Sequence, residues 1–142
     1  MSTTAVKIVL DTNVFIATIG KSSPHRWIFD AIIDGTFTLC ISTSILLEYE
    51  EVLQEKTRVE VADNVTNFLS VYPLVYRKEP YIDWNLIAED PDDNKYVDCA
   101  VAADAFCIVS NDGHFKPYKN NEFPPLKVMT LREFEAAFKP KE

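Results

Sequence analysis

Five short apolar runs, at residues 6–10, 37–41, 73–76, 105–109 and 126–129, are separated by segments of helical period, and this alternation limits the fold more than any other feature of the chain. Strands that alternate with helices form βαβ units, whose crossovers are right-handed and whose sheet is mainly parallel. The expected class is α/β, a three-layer α/β/α sandwich. Ser23-Pro24 predicts a helix start, with Trp27, Ile28, Ala31 and Ile32 on one face and a stop at Gly35. Ser42 opens a second helix carrying Ile45, Tyr49 and Val52. A third covers 61–69, a fourth begins at Asp90-Pro91, and the last starts at a capping box from Thr130 to Glu133. The irregular stretch 77–87 is the longest and is expected to hold at most a short helical turn.

A length of 142 residues is most simply one domain, 1–142, with an apolar fraction of 47% and a charged fraction of 25% in the ordinary globular range. No apolar stretch approaches membrane-spanning length, and Met1-Ser2-Thr3-Thr4-Ala5 does not resemble a signal peptide, so a cytoplasmic protein with no membrane contact is expected. Cys40, Cys99 and Cys107 lie among apolar neighbours and never form a C-x-x-C pair; buried free thiols are expected. His25 and His114 are too few and too isolated for a zinc cluster, and a catalytic imidazole at His114, near Asp112 in sequence, is a minor alternative. The net charge of −8 excludes a broad basic face gripping nucleic acid, but not a local site.

Two of the strand-like runs end in a carboxylate: Asp11 follows residues 6–10 and Asp112 lies just beyond 105–109. The carboxyl ends of parallel strands are where α/β sheets bind ligands. Two further acids face inward by helical phase, Glu48 with Ile45, Tyr49 and Val52, and Asp93 with Val97, Ala100 and Val101. Glu51 is the weaker alternative to Glu48, and Asp90 and Asp92 suit the capped, positive end of a helix. Asp98 falls with Asn94 and Lys95 on the polar face and is expected in water. Like charges about 4 Å apart repel by roughly 4 kcal/mol at an effective dielectric near 20, so converging acids call for a hard cation such as Mg²⁺ or Mn²⁺.

The segments Ile8-Val9-Leu10-Asp11-Thr12-Asn13-Val14, Ser44-Ile45-Leu46-Leu47-Glu48, Asp90-Pro91-Asp92-Asp93-Asn94 and Ile108-Val109-Ser110-Asn111-Asp112 resemble, in order and separation, the motifs of the PIN-domain family, over residues 6 to about 131. The resemblance implies a five-stranded, mainly parallel sheet of order 3-2-1-4-5. It also implies a metal-dependent endoribonuclease that cuts RNA, most often as the toxin of a bacterial toxin–antitoxin pair, and commonly a homodimer. Asp11, Glu48, Asp93 and Asp112 would hold Mg²⁺ or Mn²⁺, with Asn13 and Ser110 orienting them. The crowding of acids at 89–93 departs from the family pattern and leaves the third ligand open by a residue or more. Lys21, Arg26, Lys116 and Lys119 are the candidate phosphate contacts. Trp27, Phe29 and Ile33 occupy more than one face of a short helix, which suggests a dimer surface formed by apolar helix faces there and on the Glu48 helix. Two rival readings are an Asp11-nucleophile phosphatase, weakened by Asn13 where a second Asp is expected, and a non-catalytic binding or regulatory module.

Overall fold

The computed structural model describes residues 5–141. Its strands are β1 (Val6–Leu10), β2 (Phe37–Ile41), β3 (Tyr76–Arg77), β4 (Cys107–Val109), β5 (Asn120–Asn121) and β6 (Leu126–Met129). Its α-helices are α1 (Thr12–Ile19), α2 (Arg26–Asp34), α3 (Thr43–Lys56), α4 (Val59–Val71), α5 (Asn94–Ala103) and α6 (Leu131–Phe138). The sheet runs β3-β2-β1-β4-β6-β5, parallel throughout except for β5 against β6. The expected order of five parallel strands therefore holds, with a sixth, antiparallel strand added at one edge. Asn120 and Asn121 carry no apolar pattern, and a two-residue strand leaves no periodicity to read.

The sandwich can be traced from side chains. Phe37 of β2 packs edge-on to Trp27 of α2 and against Phe134 and Phe138 of α6, while Trp27 stacks on Phe134. Cys40, three positions on, points to the other face, where α5 covers β1, β2 and β4. Burial pushes the thiols of Cys40, Cys99 and Cys107 up to about 12, and all three are free and buried. The packing of Trp27 and Phe29 within the chain corrects the expected dimer surface. Phe29 is buried against Phe15 and Phe68, leaving only Ile33 of the three substantially exposed.

Helix starts and stops follow local chemistry. Ser42 caps α3 by accepting from the Ile45 amide, Thr130 and Glu133 form the capping box of α6, and Gly35 ends α2 in the left-handed region at φ 88°. Ser23 stands before the first turn of α2 but does not cap it; its hydroxyl accepts from the His25 amide and donates to the Ala17 carbonyl. Helix α1 is an addition to the helices read from the sequence. It is eight residues long, and Asp11 caps it by accepting from the Val14 amide at 2.9 Å.

The stretch before α5 forms no helical turn between 78 and 90. It is held to α5 by side chains instead. Asn94 exchanges two hydrogen bonds with the Ile87 backbone, and Asp98 accepts from the Trp84 amide at 3.0 Å. Asp98 is thus buried, contrary to its expected solvent exposure, because the returning loop covers that side of the helix. Among the described residues no helix is long and apolar enough to cross a membrane.

Candidate metal centre

Register brings the first two acids together. Leu10 of β1 pairs with Val109 of β4, and the Asp11 amide donates to the Val109 carbonyl at 3.1 Å, so the two strand ends lie side by side. Ser110, almost fully buried, links them: its hydroxyl donates to Asp11 Oδ2 and accepts from the Asp112 amide at 3.0 Å. Asp11 therefore serves both as the α1 cap and as a wall of the site. Burial pushes its carboxyl up, opposed by the bonds from Ser110 and Val14 and assisted by the charges of Asp112 and Glu48.

Asp11, Glu48, Asp93 and Asp112 all line one cavity of about 490 Å³, with Thr12, Asn13 and Tyr96 among its other walls. Glu48, one helical turn after Ile45 on the inner side of α3, is half-buried and fully engaged. One oxygen accepts from Thr12 and from the phenol of Tyr96, and the other pairs with Lys95 at 2.6 Å. Burial opposes its charge, but the bonds from Lys95, Thr12 and Tyr96 prevail and hold its carboxyl at about 2. Lys95, expected on the polar face, turns back onto Glu48 and also meets Asp92 at 2.9 Å. Lys95→Met is expected to lower stability by about 1–2 kcal/mol, since it strands a half-buried carboxylate. Urea denaturation checks this; an unchanged midpoint would show that Thr12 and Tyr96 satisfy Glu48 without it.

Asp93 has the opposite environment. A short 3-10 turn (Pro91–Asp93) capped by Asp90 leads into α5 and points Asp93 at the sheet edge. Its Oδ2 is buried with no hydrogen-bond partner among the described residues. Burial, then the charges of Asp90 and Asp112, raise its carboxyl to about 7. A buried acceptor without a donor costs roughly 1–3 kcal/mol, a cost that a bound cation would remove. One oxygen each from Asp90, Asp93 and Asp112, and a ring nitrogen of His114, lie within 4.8 Å of one another. Asp11 and Glu48 stand outside this group, their oxygens held by protein donors. Asp90 and His114 are the additions that sequence reasoning did not place in the site. The signal for Asp90 was its role as a cap, which uses only one of its two oxygens.

The remaining candidates separate clearly. Ser110 contacts Asp11 as expected, whereas exposed Asn13 accepts from Lys56 at 3.3 Å and orients no acid. Arg26 is tied to the Ile19 carbonyl and Asp30, and Lys119 to Glu133. Lys21 and Lys116 are exposed, and Lys116 lines a second cavity that adjoins Asp112.

The sequence from residue 7 to 114 matches the family model described as PIN domain. The chain belongs to the PIN-domain family. Its fold is shared with a chain of the crystal structure of VapBC2 from Rickettsia felis bound to a DNA fragment from their promoter. There the TM-score is 0.60 with 18% sequence identity, covering 88% of this chain and 98% of that one. No curated protein sequence matches the chain. The PIN-domain assignment accounts for the sheet order, with β1 and β4 adjacent at its centre and their following loops forming the acidic edge.

Proposed function

We propose that this PIN domain is an endoribonuclease that uses Mg²⁺ or Mn²⁺ to hydrolyse RNA phosphodiester bonds. The observation that carries the reading is the buried Oδ2 of Asp93, without a hydrogen-bond partner among the described residues, facing Asp90 and Asp112 at the carboxyl edge of the parallel sheet. The cation would be held by Asp93 and Asp112, on the cavity that Asp11 and Glu48 also line. An ion bound there supplies Lewis-acid activation of water and neutralises charge on the phosphate. The chain's own part is positional. Ser110 fixes Asp11 against Asp112, and Thr12, Tyr96 and Lys95 fix Glu48. Lys21 and Lys116, both exposed, would meet the RNA backbone.

A phosphatase with Asp11 as nucleophile is disfavoured, because both oxygens of Asp11 accept hydrogen bonds and the carboxylate is buried. Assay of purified protein on RNA and on a generic phosphomonoester, with and without Mn²⁺, tests the proposal. Mn²⁺-dependent RNA cleavage without phosphomonoester turnover is expected; turnover of the monoester alone, or metal-independent cleavage, would overturn it.

We further propose a cytoplasmic toxin of a toxin–antitoxin pair, acting as a homodimer, in line with the family and with the shared VapBC2 fold. The apolar surface available for pairing includes Leu47 on α3 and Val59 on α4, which are 60% and 55% exposed. A small DNA-binding protein encoded beside this gene would support the toxin role. A monomer by light scattering at micromolar concentration would overturn the dimer.

A further inference from the structure

We propose that His114 Nδ1 is a nitrogen ligand in the metal centre, completing with Asp90, Asp93 and Asp112 a position that takes a divalent transition ion in preference to Mg²⁺. This rests on the metal-binding reading above and adds the donors and the class of ion.

Nδ1 stands 3.3 Å from Asp112 Oδ1, 3.7 Å from Asp93 Oδ2 and 3.9 Å from Asp90 Oδ2. All three exceed the roughly 2.7–3.2 Å of a nitrogen-to-oxygen hydrogen bond, so the ring is not seated as a donor to any of these acids. Ligands sharing one ion with bonds of about 2.1 Å stand roughly 3.0 Å apart when adjacent and about 4.2 Å apart when opposite. The distances from Nδ1 fall inside that range. Four donor atoms within 4.8 Å of one another can therefore close on one ion with small side-chain adjustment.

Each donor is also held by something else. Asp90 Oδ1 accepts from the Asp92 amide as the helix cap, which leaves Oδ2 turned to the imidazole. Asp93 enters from the same capped turn, its Oδ2 buried and without a donor among the described residues. His114 and Asp112 are fixed to each other through the main chain, the His114 amide donating to Asp112 Oδ1 at 2.9 Å. The imidazole side chain is 44% exposed, so it is not a packing element, and its Nδ1 points at carboxylates that repel one another. Imidazole is a softer donor than a carboxylate and strengthens binding of transition ions, whereas Mg²⁺ prefers oxygen.

The test uses Mn²⁺ alone as the probe on the full chain. Pulsed electron paramagnetic resonance of the Mn²⁺-loaded protein is expected to show coupling to an imidazole nitrogen. The coupling should vanish in His114→Ala and persist in His25→Asn, which removes the chain's other histidine. Calorimetric titration should show His114→Ala weakening Mn²⁺ by about tenfold or more while Mg²⁺ changes by less than about threefold. Should the variant fold poorly, replacement of ¹⁴N by ¹⁵N in the histidines of the unmodified chain carries the test by altering the same coupling. Mn²⁺ binding without nitrogen coupling, or an unchanged Mn²⁺ to Mg²⁺ ratio in His114→Ala, overturns the ligand assignment and leaves the centre standing. Failure of the unmodified chain to bind Mn²⁺ overturns the centre and this inference with it.

Discussion

Asp93→Asn is expected to lower RNA cleavage at saturating Mn²⁺ by about a hundredfold or more, since changes one shell further from a metal already cost roughly 10–100-fold. The amide keeps the size of the carboxylate but loses the charge that a cation requires. Asp92→Asn should cost far less. Its carboxylate is 72% exposed and contacts the site only through Lys95, which keeps its own bond to Glu48. A loss within about threefold is expected, with a few tenths of a kcal/mol of stability from the weakened helix-end charge. Asp98→Asn should leave cleavage near normal, because Asp98 faces the Trp84 amide and not the cavity, and an amide oxygen can still accept that bond. The three variants, purified and assayed on one RNA, decide the matter. Greater sensitivity at Asp92 or Asp98 would mean that the chemistry does not run through the cluster around Asp93.

The sequence carried the fold well where hydrophobic periodicity is strong. β1 and β2 span the expected residues, and α3 and α6 start where their capping residues place them. It failed where structure is made by a few specific hydrogen bonds. The helix α1 depends on the Asp11 cap, and the loop before α5 depends on Asn94 and Asp98, polar residues whose burial no periodicity announces. The same limit applies at the site. Helical phase was enough to turn Glu48 and Asp93 toward the cavity, and strand ends were enough for Asp11 and Asp112. Phase could not show that Lys95 would fold back onto Glu48, because a long flexible side chain reaches across helix faces. Nor could it show that Asp90 and His114 meet Asp93, since that contact depends on how the turn before α5 packs against the 3-10 segment (Gly113–Tyr118).

Added Mn²⁺ is expected to stabilise the folded chain strongly, and more so as pH rises. At a free concentration about a hundred times the dissociation constant, an ion that binds only the native state contributes about 2.7 kcal/mol. For a chain of this size that corresponds to a rise in Tm of roughly 5–10 °C. The pH dependence follows from Asp93. Its folded carboxyl is raised to about 7 against the ordinary 3.8, so the native state binds a proton that the unfolded state releases between those values. The stability it contributes without metal is present below pH 3.8 and lost as pH rises through 7. Glu48 runs the other way: held at about 2 against the ordinary 4.5, it contributes stability present above 4.5 and lost as pH falls through 2. In metal-free buffer these two groups together place their joint maximum near pH 4–5. Asp93→Asn should then raise metal-free stability at pH 8 by about 1–2 kcal/mol, after allowance for screening by water in the open cavity. The same variant should lose most of the Mn²⁺ gain, since it has given up both the repulsion that the ion relieves and the charge that binds it. Thermal denaturation at pH 5 and pH 8, with Mn²⁺ and with chelator, measures all of this. An equal Mn²⁺-induced shift in the unmodified chain and in Asp93→Asn would mean that the ion binds away from this cluster.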